Sequence, residues 1–136
     1  LEQQIAELGL EQRVSMPGVV GNLGDWYTEA DLYVMTSLFE GFPNALAEAM
    51  SYGLPVISVD CDTGPRDIIR HQVDGLLVPQ NDHHALVETL KMLMGDKMLR
   101  QQYAERSVEI RERLSIENIS SLWEGVFESF SLKGFK

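Results

Sequence analysis

The chain has 136 residues and a mass of 15.3 kDa, room for one hydrophobic core, and its 44% apolar and 24% charged content excludes a disordered or collagenous polymer. With 21 acidic against 11 basic residues the formal charge is -10, and no basic cluster offsets it, which makes nucleic acid and anionic lipid poor partners. Cys61 is the single cysteine, which rules out an internal disulfide and a cysteine-rich zinc site and fits a reducing cytosol, while no apolar run reads as a signal peptide or approaches the roughly 18 residues of a membrane span.

In chain order, Leu1, Ile5 and Leu8 fall at i, i+4 and i+7 and predict a helix that Gly9 stops. A chain that opens on Leu1 rather than Met, inside a helix, is expected to be a piece of a longer protein. Residues 13–16 predict a short strand closed by Pro17-Gly18, and 22–29 a helical turn or two carrying Trp26 and Tyr27. The run 32–36 is apolar almost throughout, which predicts a strand buried on both faces of a parallel sheet. After a loop punctuated by Gly and Pro, 44–52 reads as a helix ending at Gly53, 55–59 as the next buried strand, and 60–64 as a polar loop. A short helix at 65–70 and a strand at 76–78 close this half.

From Asp82 onward the period is helical. Leu86, Leu90, Leu93 and Met94 make one apolar face, and Leu99, Tyr103, Val108 and Ile110 a looser one. Ser115 is expected to cap a last helix whose Ile119, Leu122, Trp123, Val126 and Phe130 face inward. Alternating strands and helices imply βαβ crossovers: an α/β fold with a Rossmann-like parallel sheet, helices on both faces, and C-terminal helices after it, in one domain over 1–136. Such sheets bind ligands at the carboxyl ends of their strands, where two loops stand out, 37–44 and 60–65.

The first loop puts Glu40 before a helix and Glu48 two turns into it. Gly41 permits unusual backbone angles, Pro43 fixes φ near the helix start, and the free amides of Asn44, Ala45 and Leu46 are expected to point back toward the loop. That start suits a phosphate, and the helix dipole adds about 0.3–1 kcal/mol at an exposed site. Carboxylates beside a phosphate repel it unless they hold something else, and vicinal hydroxyls are the neutral partner that one carboxylate accepts from twice. Acid, amides and acid in that order match a nucleotide sugar.

Glu40-Gly-Phe-Pro-Asn-Ala-Leu-Ala-Glu48, followed by Ala-Met-Ser-Tyr-Gly-Leu-Pro-Val-Ile57, resembles the Glu-x7-Glu signature of retaining GT-B glycosyltransferases of family 4. Residues 14–18, 27–31, 63–69 and 74–79 agree with it in order, and the resemblance covers nearly the whole chain. It implies the C-terminal, donor-binding half of a GT-B fold, without its first strand. By the same resemblance Glu40 holds hydroxyls of the donor sugar near the reacting carbon and Glu48 holds the ribose. The amides of Gly41, Phe42, Pro43 and Asn44 (Pro43 lending only its backbone) lie along the sugar, those of Ala45 and Leu46 along the diphosphate, and Met16, Pro17 and Gly18 beside the base.

The implied activity is transfer of a hexose from a UDP-sugar to a glycan or lipid-linked acceptor in polysaccharide biosynthesis, with no cofactor and no metal. The acceptor domain and the family's Arg and Lys for the leaving diphosphate are expected upstream, so this chain alone is expected to bind UDP weakly and to catalyse nothing. The expected location is cytoplasmic, with peripheral membrane association through the absent half. Rival readings are a sugar-nucleotide epimerase of the same fold and a non-catalytic flavodoxin-like binding module.

Other residues carry blander readings. Asp60-Cys61-Asp62 matches the Asp-x-Asp metal motif of the unrelated GT-A fold and is expected to be coincidental here. His71, His83 and His84 lack metal spacing. Thr63-Gly64-Pro65 either borders the donor pocket or is a plain loop-to-helix turn, and Arg66 is expected at the surface. Trp26, Trp123, Phe127 and Phe130 are expected in core or interdomain packing, and a last helix reaching a partner domain would leave apolar surface exposed.

Overall fold

In the structure, a computed structural model that describes residues 1–132, three strands form one parallel sheet. The last four residues of the expected 1–136 domain lie outside the described residues. The strands are β1 (Tyr33–Met35), β2 (Val56–Asp60) and β3 (Leu76–Pro79), in the order β1-β2-β3. Register sets Tyr33 beside Val56 and Met35 beside Ser58 on one side of β2, and Ile57 beside Leu76 and Val59 beside Val78 on the other. The helices are α1 (Glu2–Glu7), α2 (Leu23–Glu29), α3 (Asn44–Ser51), α4 (Pro65–Ile68), α5 (His83–Gly95), α6 (Lys97–Ser107), α7 (Ile110–Arg113) and α8 (Ile116–Leu132).

Successive side chains of a strand point to opposite faces, so the central strand feeds two cores. Val56 joins Met35, Leu46, Ala49, Met50, Ile68 and Ile110 on the face that α3 covers. Ile57 and Val59 join Leu76, Val78, Leu93 and Tyr103 on the face that α5 and α6 cover. Leu46, Met50, Ile57 and Leu93 are fully buried. Each such side chain contributes about 1.5–3 kcal/mol relative to exposure.

The α3 helix shows how local sequence makes an element. Its Ala, Leu, Glu and Met residues are strong helix formers, and Leu46, Ala49 and Met50 at i, i+3 and i+4 supply the buried face. Gly53 takes φ +81° just past the end, and the amides of Gly53 and Leu54 donate to the carbonyls of Met50 and Ala49 at 2.9 and 3.2 Å. This double closure satisfies two of the helix's last carbonyls. Asn22, Asp82, Asp96 and Ser115 cap α2, α5, α6 and α8 through their side chains, the last as expected.

A buried ionic clasp ties the C-terminal helices to the sheet. The carboxylate of Asp74, fully buried, accepts from the Arg70 amide at 2.7 Å, Arg70 Nε at 2.6 Å and Arg113 Nη1 at 3.2 Å. Arg70 also reaches Glu109 at 2.7 Å, and Arg113 donates to the Ile68 carbonyl at 2.8 Å. Nothing in sequence spacing announces this network, because its members lie up to 45 residues apart, from Ile68 to Arg113.

Three expectations are corrected. Residues 13–16 form no strand: the amides of Arg13 and Val14 both donate to the Leu10 carbonyl at 2.9 Å, which winds the chain into a turn, and Val14 and Met16 stay exposed. The β1 strand is not buried on both faces, since it is the edge of the sheet and Val34 is 36% exposed. On α8, Leu122, Trp123, Val126 and Phe130 face solvent instead of the core, because that helix packs chiefly on α7. Trp26 and Phe127 are likewise exposed and outside either core, and Phe127 stacks on Trp123 at 5.8 Å.

Candidate functional site: the turn into α3

Parallel neighbours end on the same edge of a sheet, so the loops leaving β1, β2 and β3 emerge side by side. They are sewn together there. Gln80, after β3, donates its side-chain amide to the Leu38 carbonyl at 2.7 Å, and the Thr63 hydroxyl, after β2, donates to the Glu40 carbonyl. Gly64 sits against the same turn with φ +88° and ψ -70°. A Cβ there would collide with the Gly41 carbonyl oxygen and lie 2.6 Å from Pro43 Cδ, so only glycine fits. Thr63-Gly64-Pro65 therefore borders the turn that carries Glu40, beyond serving as the entry to α4.

Pro43, buried, is the residue before the first turn of α3, with φ -76° and ψ 85°. Three free amides were expected beyond it, and the structure leaves one. The Asn44 amide donates to the Phe42 carbonyl at 2.9 Å and the Leu46 amide to the Pro43 carbonyl at 3.0 Å, because the tight entry at Pro43 folds both carbonyls inward. The Ala45 amide has no backbone acceptor among the described residues. Gly41, Phe42, Asn44 and Ala45 are exposed, so the tip of α3 is open to solvent.

Glu40 is half-buried, and Glu48 is exposed on the face of α3 opposite its core side. Their fields meet at one side chain. Burial first, then the Glu40 carboxylate and then that of Glu48, push the Tyr33 phenol above its ordinary value. Tyr33 is one of three tyrosines beneath the helix. Tyr27, 8% exposed, meets Tyr33 edge-on at 6.2 Å and Tyr52 at 5.4 Å, and its hydroxyl donates to the Ala45 carbonyl at 3.4 Å. Burial and the Glu48 carboxylate push the Tyr27 phenol up as well. Nothing in the sequence marks Tyr27, Tyr33 and Tyr52 as neighbours, because helix, strand and helix C-terminus bring them together from three elements with no common period.

Met16, Pro17 and Gly18 are exposed, and no hydrogen bond among the described residues joins them to 40–48. Asp60 is held by Arg66 through two bonds at 2.9 and 3.0 Å, which gives that carboxylate a cation of its own. Cys61 is buried, and its thiol faces the Thr63 carbonyl at 3.6 Å. His71 Nδ1 accepts from the Leu77 amide at 2.9 Å, a fold contact, while His83 and His84 are exposed at the start of α5. Among the described residues, no cluster of three or more His, Cys, Asp or Glu side chains is placed to hold a metal.

An exposed helix tip with a carboxylate before it and another on it, at the carboxyl edge of a parallel sheet, offers backbone donors suited to negative charge and acceptors suited to hydroxyls. Residues 1–109 match the family described as glycosyl transferases group 1. The chain belongs to that family.

Among its relatives, this group 1 chain is 38% identical over 128 residues to an exopolysaccharide phosphotransferase of Streptomyces coelicolor, covering 93% of this chain and 14% of that protein. It is 29% identical over 126 residues to the amylovoran biosynthesis glycosyltransferase AmsD of Erwinia amylovora, covering 93% and 35%. The chain thus spans well under half the length of these relatives. Among solved structures, Anabaena HepE in complex with UDP superposes with a TM-score of 0.83 at 25% identity, over 94% of this chain and 35% of that one. TarM superposes with a TM-score of 0.84 at 26% identity, over 93% and 26%. The expected α/β architecture, a parallel sheet with helices on both faces as in GT-B glycosyltransferases, is borne out by these superpositions.

Proposed function

We propose that this chain is the donor-binding part of a retaining, family-4-like glycosyltransferase that moves a hexose from a UDP-sugar to a glycan or lipid-linked acceptor in polysaccharide assembly. The observation that carries the reading is the open tip of α3 at the carboxyl edge of a parallel sheet, with Glu40 just before it and Glu48 on it, both carboxylates pushing the Tyr33 phenol up. Glu40 stands before the helix start and Glu48 just over one turn beyond it, and the Ala45 amide, with no backbone acceptor among the described residues, lies between them along the chain. The HepE complexes with UDP and with UDP-glucose, and relatives named for exopolysaccharide and amylovoran, support the same ligand class and setting.

Glu40 then accepts hydroxyls of the donor sugar near its reacting carbon, with the backbone of Gly41, Phe42, Pro43 and Asn44 alongside. Glu48 accepts the two ribose hydroxyls. The diphosphate lies on the Ala45 amide, with the Leu46 amide next to it sharing its bond to Pro43, as amides at helix ends commonly do. The base lies toward Met16, Pro17 and Gly18.

During transfer, charge builds on the leaving diphosphate, so donors fixed where that charge appears lower the barrier. The α3 tip supplies part of this without a metal. Further cations belong upstream, after the first strand of this same domain, and the acceptor site to a second domain, through which the enzyme also meets the membrane from the cytoplasm. Among the described residues no helix is long and apolar enough to cross a membrane. Attack by the acceptor on the same face, with Glu40 positioning the sugar, retains configuration without a glycosyl-enzyme bond; the double displacement of retaining glycosidases would instead make Glu40 the nucleophile.

Titration of UDP into isotope-labelled protein tests the reading. Amides of 41–46 are expected to shift, Glu48→Ala to weaken binding about tenfold, the loss of hydrogen bonds to a charged acceptor, and a chelator to change nothing. A Glu48→Ala variant that responds like the wild type overturns the ribose assignment. Loss of binding with chelator overturns the metal-free reading, and sugar transfer by this chain alone overturns the need for a second domain.

A further inference from the structure

The buried phenol of Tyr27 lies against the first turn of α3. Its hydroxyl reaches the Ala45 carbonyl at 3.4 Å, and Ala45 and Glu48 stand three residues apart, on one face of the helix. Tyr27 has little freedom to leave. Its ring is held edge-on by Tyr33 at 6.2 Å and against Tyr52 at 5.4 Å. The Tyr52 hydroxyl in turn lies close against Gly24, where an added Cβ would stand 2.6 Å from it. A Tyr27 hydroxyl held this way presents its proton to the first turn of α3, one turn before Glu48.

We infer that Tyr27 is a positioning residue for Glu48, holding that carboxylate and the Ala45 peptide in the geometry that receives the ribose and diphosphate of the donor. The inference rests on the nucleotide-sugar reading and adds to it a residue from outside the Glu40–Glu48 segment. Glu48 is exposed, and an exposed carboxylate on a helix samples several rotamers unless a partner selects one. Tyr27, whose hydroxyl lies on the Ala45 carbonyl three residues before Glu48, is the side chain placed to select one, and the Glu48 carboxylate, after burial, pushes its phenol up. The tyrosine touches no ligand itself.

The test compares UDP with 2′-deoxy-UDP, using the intact chain and the variants Tyr27→Phe, Glu48→Gln and the double variant. Tyr27→Phe keeps the ring packing and removes one oxygen, so thermal unfolding controls for structure. The wild type is expected to prefer UDP by about tenfold, the worth of a hydrogen bond to a charged group. Tyr27→Phe is expected to lose most of that preference, and to have no further effect once Glu48 is Gln. A fold-wide role for Tyr27 would weaken both nucleotides equally and leave their ratio unchanged, which overturns the inference. A Tyr27→Phe protein that keeps the full preference while Glu48→Gln loses it also overturns it and leaves the ribose assignment standing. A wild type with no preference removes the ribose assignment, and the positioning role falls with it.

Discussion

Gly64 and Pro43 pack so closely that the loop after β2 has become a wall of the turn after β1: a Cβ on Gly64 would stand 2.6 Å from Pro43 Cδ. The contact joins segments 21 residues apart in sequence, from 43 to 64, and it sets where Glu40 can stand. Gly64→Ala combines strain at φ +88° with that collision. It is expected to cost about 2–3 kcal/mol, read as a fall in the urea midpoint at unchanged slope. A variant as stable as the wild type would show that the two loops part readily and do not define one site.

Asp74 is the most exacting polar residue of the fold, a carboxylate at 0% exposure with two guanidinium partners. Asp74→Ala removes the buried centre of the clasp while Arg70 keeps Glu109 and Arg113 keeps the Ile68 carbonyl, both arginines partly exposed, so the cost is expected at about 3 kcal/mol, the low end for a broken buried pair. Loss of cooperative thermal unfolding near room temperature is the expected reading. Asp74→Asn, which keeps the shape and one acceptor, is expected to retain more stability than Asp74→Ala.

The same clasp makes stability depend on pH in acid. The Arg70 guanidinium, hydrogen-bonded to Glu109, holds that carboxyl below the usual carboxylate range. A lowered folded-state value means that the unfolded chain binds the proton more readily, so this contribution is complete above the ordinary carboxylate value and is lost as pH falls through the folded one. Melting temperature is therefore expected to drop on acidification below about pH 4, and Glu109→Gln to flatten that part of the curve. An identical slope in the variant would remove Glu109 as its source.

Tyr33 offers a direct measure of how near the two site carboxylates lie. With burial and both carboxylates raising it, its phenol is expected to ionise above the ordinary value near 10, followed by carbon NMR of labelled tyrosine. Glu40→Gln and Glu48→Gln should each bring it down. Because the folded state favours the neutral phenol, its contribution to stability is present below the ordinary value and lost as pH rises above it. If only one substitution moved Tyr33, the carboxylates would not share a site.

The elements near the site were legible because local rules govern them. Asn44 to Ser51 is a helix from its composition and i, i+3, i+4 burial, and Val56 to Val59 a buried strand from its unbroken apolar run. Residues 13–16 misled because an apolar alternation makes a strand only where another strand lies alongside, and here the ladder ends at β1. The α8 stripe misled in the same way: periodicity shows that a face is apolar, and packing decides whether anything covers it.

At the site itself, the order of residues was enough to place Glu40 in a loop, Glu48 on the helix after it, and glycine and proline between them, since each is dictated by neighbours within a few positions. Tertiary structure alone decided that the Asn44 and Leu46 amides are occupied while that of Ala45 is open, that Thr63 and Gln80 brace the turn from the two neighbouring loops, and that tyrosines 27, 33 and 52 gather under the helix. Those facts depend on which strands become neighbours, and strand neighbourhood is settled by burial across the whole chain.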